Sequence, residues 1–301
     1  MFLPAQERIA TATAAIRQVS AEARADMHRL VSRTIRELNL HYKDAILQLR
    51  EDILAYADTD GNLRLSELAA LLTQVHATLG ELGCARDELL LRGLTTAAEI
   101  GADLWYAANL KVATQALSRR AVKWVQSRRV GGLRLAERLV QLDQQTCQRV
   151  NATLKQAVIS GQENRSGIRS GLEPSEPVPC SATPILQALE ETLSGTPNSP
   201  YPLVLQLLRA EINYAHIVAY RAGMVVYADL VGERFIVSSC DPKVTVHDIH
   251  TQVDLYDLGP GVYPVGQSPW PLHPNALNFI EAVFANESSL GLILANRNLA
   301  L

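Results

Sequence analysis

The stretch 203-LVLQLLRAEINYAHIVAYRAGMVVYADLVGERFIVSS-239 decides the fold class, because its hydrophobic period changes partway along. Up to Ala222 the apolar residues return at helical spacing (Leu207, Leu208, Ile212, Ile217, Val218), which predicts a helix over 203–222. From Met224 the pattern tightens. The runs 224-MVVYADLV-231 and 234-RFIVSS-239, joined at Gly232 and Glu233, read as the two arms of a β-hairpin. A Gly/Pro-rich loop, 258-LGPGVYPVG-266, follows with room for a short strand, and 276-ALNFIEAVFAN-286 is expected to form a final helix. Residues 203–301 therefore read as a small α+β unit.

Upstream the chain is helical. Residues 5–57 carry Leu30, Val31, Ile35, Leu38, Ile46, Leu49, Ile53 and Leu54 largely on one stripe, as an amphipathic helix requires. The turn 58-DTDG-61 stops it, and a second helix runs from Ser66 to about Leu79, where Gly80 and Gly83 are expected to end it. An Ala-rich helical run covers 95–127, Gly131-Gly132 breaks the chain, and another helix spans about 133–159. Residues 1–160 thus form an expected domain of long antiparallel helices. Seven of the 14 prolines fall between 161 and 202, which marks that segment as a linker or wrapping arm in which only 185-ILQALEETL-193 looks helical. The expected fold class is α+β: a mainly helical first half, a Pro/Gly/Ser-rich joint at 161–202, and the unit at 203–301.

Composition narrows the function classes. With 48% hydrophobic and 20% charged residues the chain is globular, and a net charge of −3 excludes a polyanion binder acting through its whole surface. The four cysteines show no regular spacing, so no disulfide framework is expected. No apolar run reaches membrane-spanning length, and the start MFLPAQERIATATAAIRQ lacks a basic stretch followed by an apolar one. A reducing cytosol, or an assembly built there, is the expected setting, with no membrane partner.

Three groups of residues could carry chemistry. In 56-YADTDGNLRLSE-67, taking Gly61 as the sixth position of a calcium loop puts Asp58, Asp60 and Glu67 at the third, fifth and twelfth. Tyr56 occupies the first ligand position and Arg64 the ninth, so the loop is degenerate. An ordinary turn between two helices, with Ser66 as N-cap, explains the same residues.

The segment 117-LSRRAVKWVQSRRVGGLRLAER-138 is strongly basic, with Glu137 its one acid. Arg119, Arg120, Lys123, Arg128, Arg129 and Arg134 form a candidate patch for DNA phosphates or an acidic partner, the alternative being a solvated helix face. Cys240, His247, His250 and His273 form the third group, four ligands that zinc would accept. Their spacing is not HExxH. The choice is between a structural zinc and a hydrogen-bond cluster, with a metal-dependent hydrolase, nuclease or peptidase, centred on His247, His250 and His273 as the remaining alternative. No G-x-S-x-G, Walker loop or G-x-G-x-x-G occurs, no catalytic residues are assigned, and the chain is expected not to be an enzyme. Arg209 and Glu211, two apart on a helix, do not face each other, so each is expected to find its partner elsewhere, in the C-terminal β unit. His216 reads as a packed or surface residue.

The order of these features resembles the phage Mu F-like family of minor head proteins, also called head morphogenesis proteins. Members show an Arg-Thr-Glu-like helix, a strand leading to Thr/Ser-x-x-Asp, a nearby His or Cys pair, and a terminal His-Pro-Asn-Cys-Arg-Cys. Here 209-RAEINYA-215 supplies Arg209 and Glu211, 238-SSCDPKVTVHDIH-250 supplies Ser238, Asp241, His247 and His250, and 269-PWPLHPN-275 supplies Pro271, His273, Pro274 and Asn275. The family's Cys-Arg-Cys is replaced by 276-ALN-278, and Phe235 is the nearest candidate for the aromatic that precedes the strand end. The resemblance covers about residues 203–280. It implies a structural protein in few copies inside a tailed-phage head, associated with the portal vertex. Its implied partners are the portal, major capsid or scaffold protein and, through the basic patch, the packaged DNA, with no cofactor beyond a structural zinc.

Overall fold

The structure, a computed structural model, describes residues 5–57, 66–107, 113–168, 186, 189–191, 193, 199–226, 231–236, 249–270 and 278–284. Among these residues five long helices come first: α1 (Ala5–Ala55), α2 (Leu68–Ala107), α3 (Thr114–Ser127), α4 (Leu135–Ile168) and α5 (Pro200–Val226). A small sheet follows, made of β1 (Val231–Ile236), β2 (Val262–Pro264) and β3 (Phe279–Phe284), with the single turn α6 (Ile249–Gln252) between β1 and β2. The protein is α+β, with its long helices in the first part of the chain. No helix among the described residues is long and apolar enough to cross a membrane.

The helices follow their apolar spacing. In α2 the buried residues Leu71, Val75, Leu79, Leu82, Leu89, Leu90, Leu94, Ala97, Ala98 and Trp105 keep one stripe going for the length of the element. That stripe carries the helix straight through Gly80 and Gly83, which the sequence suggested as its end. An isolated glycine costs only about 1 kcal/mol in a helix, less than continued burial of large leucines returns. The break at Gly131-Gly132 is where expected. Both residues take positive φ (60° and 84°), and Val130 and Leu133 bridge the turn between α3 and α4.

Two expectations for the β region are corrected. Helix α5 continues to Val226, so Met224, Val225 and Val226 end that helix instead of opening the first arm of a hairpin. The neighbours of β1 come from far downstream instead: the sheet order is β2–β1–β3, both pairings antiparallel, with Glu233 opposite Tyr263 on one side and Ala282 on the other. The expected final helix is strand β3, paired with β1 from Val231↔Phe284 to Ile236↔Phe279. All six of its residues are buried, which a helix with one wet face would not achieve. Asn275, the proposed cap of that helix, lies outside the described residues.

The chain forms two compact units, and neither is a consecutive stretch: Met1–Arg33, Leu90–Leu135 and Leu207–Leu301 make one, Thr34–Leu89 and Ala136–Gln206 the other. These units cut across the division in chain order at 160 and 203. The second unit buries Leu38, Leu49, Ile53, Leu71, Val75, Val150, Leu154, Leu189 and Leu193. Its deeply buried Arg86 donates to Asp143 (2.6 and 3.0 Å) and to Asp87 (2.6 and 2.9 Å). Burial works against the Arg86 charge, but these hydrogen bonds more than offset it, so its pKa rises. Nearby Tyr42, packed edge-on to Tyr201 at 4.8 Å, is pushed up to about 12 by burial.

Candidate functional site

The richest constellation lies in the unit that holds the sheet, and α5 positions most of it. Its buried run from Ala210 to Ile217 carries Glu211 and Tyr214, and Arg221 follows two turns later. Arg128 reaches Glu211 from just beyond α3. One guanidinium nitrogen, Nη2, donates to both carboxylate oxygens, at 2.9 and 3.0 Å. Arg128 is the C-cap of α3, with φ −58° and ψ 138°, so the backbone has left the helix there and turns the side chain off the helix's cationic face. Its Cζ sits 3.5 Å from the Tyr214 ring centroid and 5.4 Å from that of Trp124.

Arg221 repeats the arrangement against the sheet. Its Nε and Nη2 donate to the two oxygens of Glu233, each at 2.9 Å, and Nη2 also donates to Ser268 Oγ at 2.8 Å. The Ser268 backbone N–H donates to Glu233 at 2.7 Å, which ties the loop before β3 to the central strand. Trp270 closes the column. Its ring lies 5.0 Å from Tyr214 and 5.2 Å from the Arg221 Cζ, and its Nε1–H donates to the Asn278 carbonyl at 3.0 Å. The resulting order is Trp124, Arg128, Tyr214, Trp270, Arg221, with aromatic faces and guanidinium groups interleaved and each arginine neutralised by a buried glutamate.

Glu211 is 1% exposed and Glu233 fully buried. Removing either arginine would strip a buried carboxylate of the guanidinium bonded to it, so the column locks α3, α5, the sheet and the 268–270 loop together. A third pair in this unit, Arg24 with Glu281 of β3 at 4.0 Å, and the edge-on contact of His28 with Phe279, bring α1 to the sheet in the same way.

His216 lies one helical turn from Tyr220 and packs between α5 and α2. Its carbonyl oxygen and ring Nδ1 face Gly101, leaving no room for a side chain there. Burial lowers the His216 pKa to about 4, opposed by a backbone hydrogen bond at Ala97 and reinforced by the Arg24 charge, so the ring is neutral at pH 7. Tyr220, stacked on Trp105 at 5.3 Å and accepting the Ala282 N–H at 2.9 Å, is raised to about 12 by burial.

The residues singled out from sequence separate into three groups. Glu211 enters the column bonded to Arg128 from the helical region, and Arg209 is exposed. Arg119, Arg120, Lys123, Arg129 and Arg134 are exposed as a surface patch requires, while Arg128, expected among them, is turned inward. Trp124 shows 43% of its surface beside them. Cys240, Asp241, His247, His273, Pro274 and Asn275 lie outside the described residues, as do Asp58 and Asp60. His250 is on α6, its ring edge-on to Phe235 at 6.0 Å and its carbonyl accepting the Tyr263 hydroxyl at 3.0 Å. Glu67 stands just before α2, its carbonyl accepting the Leu71 N–H at 3.0 Å. Among the described residues no three His, Cys, Asp or Glu side chains gather as metal ligands would.

Sequence reasoning missed Arg221, Glu233, Tyr214 and Ser268. The available signal was charge set in an apolar run: Arg221 interrupts the hydrophobic sequence 217-IVAYRAGMVV-226, where a charge is expensive unless paired. No protein-family model, curated protein or solved structure matches this chain.

Proposed function

We propose that this protein is a minor head protein of a tailed phage, a structural and interaction protein that docks at the portal vertex inside the head and acts in assembly or in DNA packaging and ejection. The observation that carries the reading is the place of Glu211. The glutamate of 209-RAEINYA-215 is the buried anchor that binds α5 to α3, and the same helix anchors β1 through Arg221 and Glu233. Residues of the family-like segment thus serve as the frame of a compact unit, the part expected of a docking module. The exposed cations of α3 give that unit an electropositive face suited to packaged DNA or to an acidic surface of portal, scaffold or major capsid protein.

The test is direct. Purified full-length chain is mixed with portal particles, scaffold and major capsid protein of the same phage and sedimented. Co-sedimentation with portal is the expected result, and failure to bind any of the three would falsify the proposal.

A further inference from the structure

Helix α1 bears two apolar stripes on opposite sides. Within 34–55 one stripe, Leu38, Tyr42, Ala45, Leu49 and Ile53, is buried. The other faces solvent: Leu40, Leu47 and Leu54 are 58%, 57% and 48% exposed, at intervals of seven residues. They end three copies of one short pattern, 36-RELNL-40, 43-KDAIL-47 and 50-REDIL-54. In each copy a base stands four residues before the leucine and an acid three before it. At about 100° per residue the base falls roughly 40° to one side of the leucine and the acid roughly 60° to the other. The leucine ridge therefore runs between a cationic wall (Arg36, Lys43, Arg50) and an anionic one (Glu37, Asp44, Glu51). Lys43, Asp44, Arg50 and Glu51 are all exposed. Single exposed leucines are ordinary; three in line between charged walls of opposite sign are a patterned surface.

We propose that this face of α1 docks against the same face of a second copy of the chain, with the two helices parallel. The charges choose the occupant and the direction. When two identical helices face each other in parallel, the two-fold axis runs along them and each cationic wall meets the partner's anionic wall on both sides. In the antiparallel arrangement cations would meet cations and acids would meet acids. The repeat of seven keeps the leucines on one line as the helices supercoil. Three heptads bury little surface, so the association is weak and reversible, with a dissociation constant on the order of micromolar. The inference stands on α1 alone and does not depend on the head-protein reading.

Sedimentation equilibrium of the full-length chain over a range of concentrations tests it. A monomer–dimer equilibrium is expected, and Leu47→Glu should raise its dissociation constant by about tenfold or more. That residue is exposed, so the thermal melt of the variant should match the parent and loss of folding cannot account for the change. A K43E/R50E chain and a D44K/E51K chain should each stay monomeric alone and dimerise when mixed. Direction is read by oxidative cross-linking: Leu40→Cys should join to itself, with the unmodified chain as the control for exposed Cys84. Three results would overturn the proposal: a chain monomeric up to about 100 μM, a dimer indifferent to Leu47→Glu, or a Leu40→Cys chain that cross-links to a Leu54→Cys chain rather than to itself. So would a monomer whose Leu47→Glu variant instead loses a different protein partner.

Discussion

Arg128 and Glu211, 83 positions apart in the chain, meet through one guanidinium nitrogen that lies 2.9 and 3.0 Å from the two carboxylate oxygens. The pair joins two features that look unrelated in sequence, a run of surface cations and a polar motif on an apolar helix. One cation of the run is withdrawn to neutralise the one acid in the buried turn of α5. The plane of that cation then seats Tyr214, and Tyr214 seats Trp270. A charge pair thereby sets the position of an aromatic core.

Replacing Arg128 with Ala should destabilise the protein by about 3–5 kcal/mol, because it removes the guanidinium bonded to both oxygens of buried Glu211. Arg128→Lys keeps the charge but not the flat face against Tyr214, and should cost less. The triple change of Arg119, Arg120 and Lys123 to Ala should stay within about 1 kcal/mol, since these side chains are exposed. Urea unfolding of the three variants checks the order. Equal losses for Arg128→Ala and the triple variant would show that the buried pair contributes nothing special.

The helical layout was legible because 3.6-residue periodicity is repeated many times in long elements. Short apolar runs were not. In 279-FIEAVF-284 the apolar residues Phe279, Ile280, Val283 and Phe284 fit one face of a helix, and only pairing with β1 lets all six positions be buried. Met224, Val225 and Val226 fit a strand or the last turn of α5 equally well, and the choice went to the helix already under way. Leu54 looked like core and is exposed, because the stripe of α1 is split between two opposite faces. Arg128 could not be told from Arg129 by type or charge. What separates them is the end of α3, a backbone event one residue wide.

The glycines of α2 give a paired prediction. A Cβ at Gly101 would lie 2.2 Å from the carbonyl oxygen of His216, which is backbone and cannot rotate away. Gly101→Ala should therefore cost more than about 3 kcal/mol or prevent folding. At Gly80 nothing lies within 4 Å of the same added atom, and the residue is exposed in mid-helix. Gly80→Ala should stabilise by about 0.5–1 kcal/mol. Thermal melts of the two variants should move in opposite directions.

Burial of His216 makes stability depend on pH in a defined window. Its pKa is near 6.5 in the unfolded chain and about 4 in the folded one. Below pH 6.5 the unfolded chain takes up a proton that the folded protein refuses, so stability is full above 6.5 and is lost as the pH falls towards 4. The whole window is worth about 3 kcal/mol, and the part down to pH 5 about 2 kcal/mol. Urea midpoints measured from pH 7 to 5, above most carboxylate titration, should fall in the parent. In His216→Gln the slope over that interval should flatten, and an unchanged slope would assign the effect to other groups.

The cationic face of α3 makes a claim that salt can test. Between Leu104 and Ala136 there is no acidic residue, and among the described residues Arg119, Arg120 and Lys123 form no ion pair. The three project within about 100° of one another, opposite buried Leu117, Ala121 and Val125. If they contact phosphates, binding of duplex DNA should weaken with salt, and replacing all three with Ala should reduce the slope of log K against log salt by about 2.7. Fluorescence anisotropy across a salt series measures it. A triple variant with the parent's slope would move the face from DNA to an acidic protein surface, where the cations set the rate of encounter rather than a count of released ions.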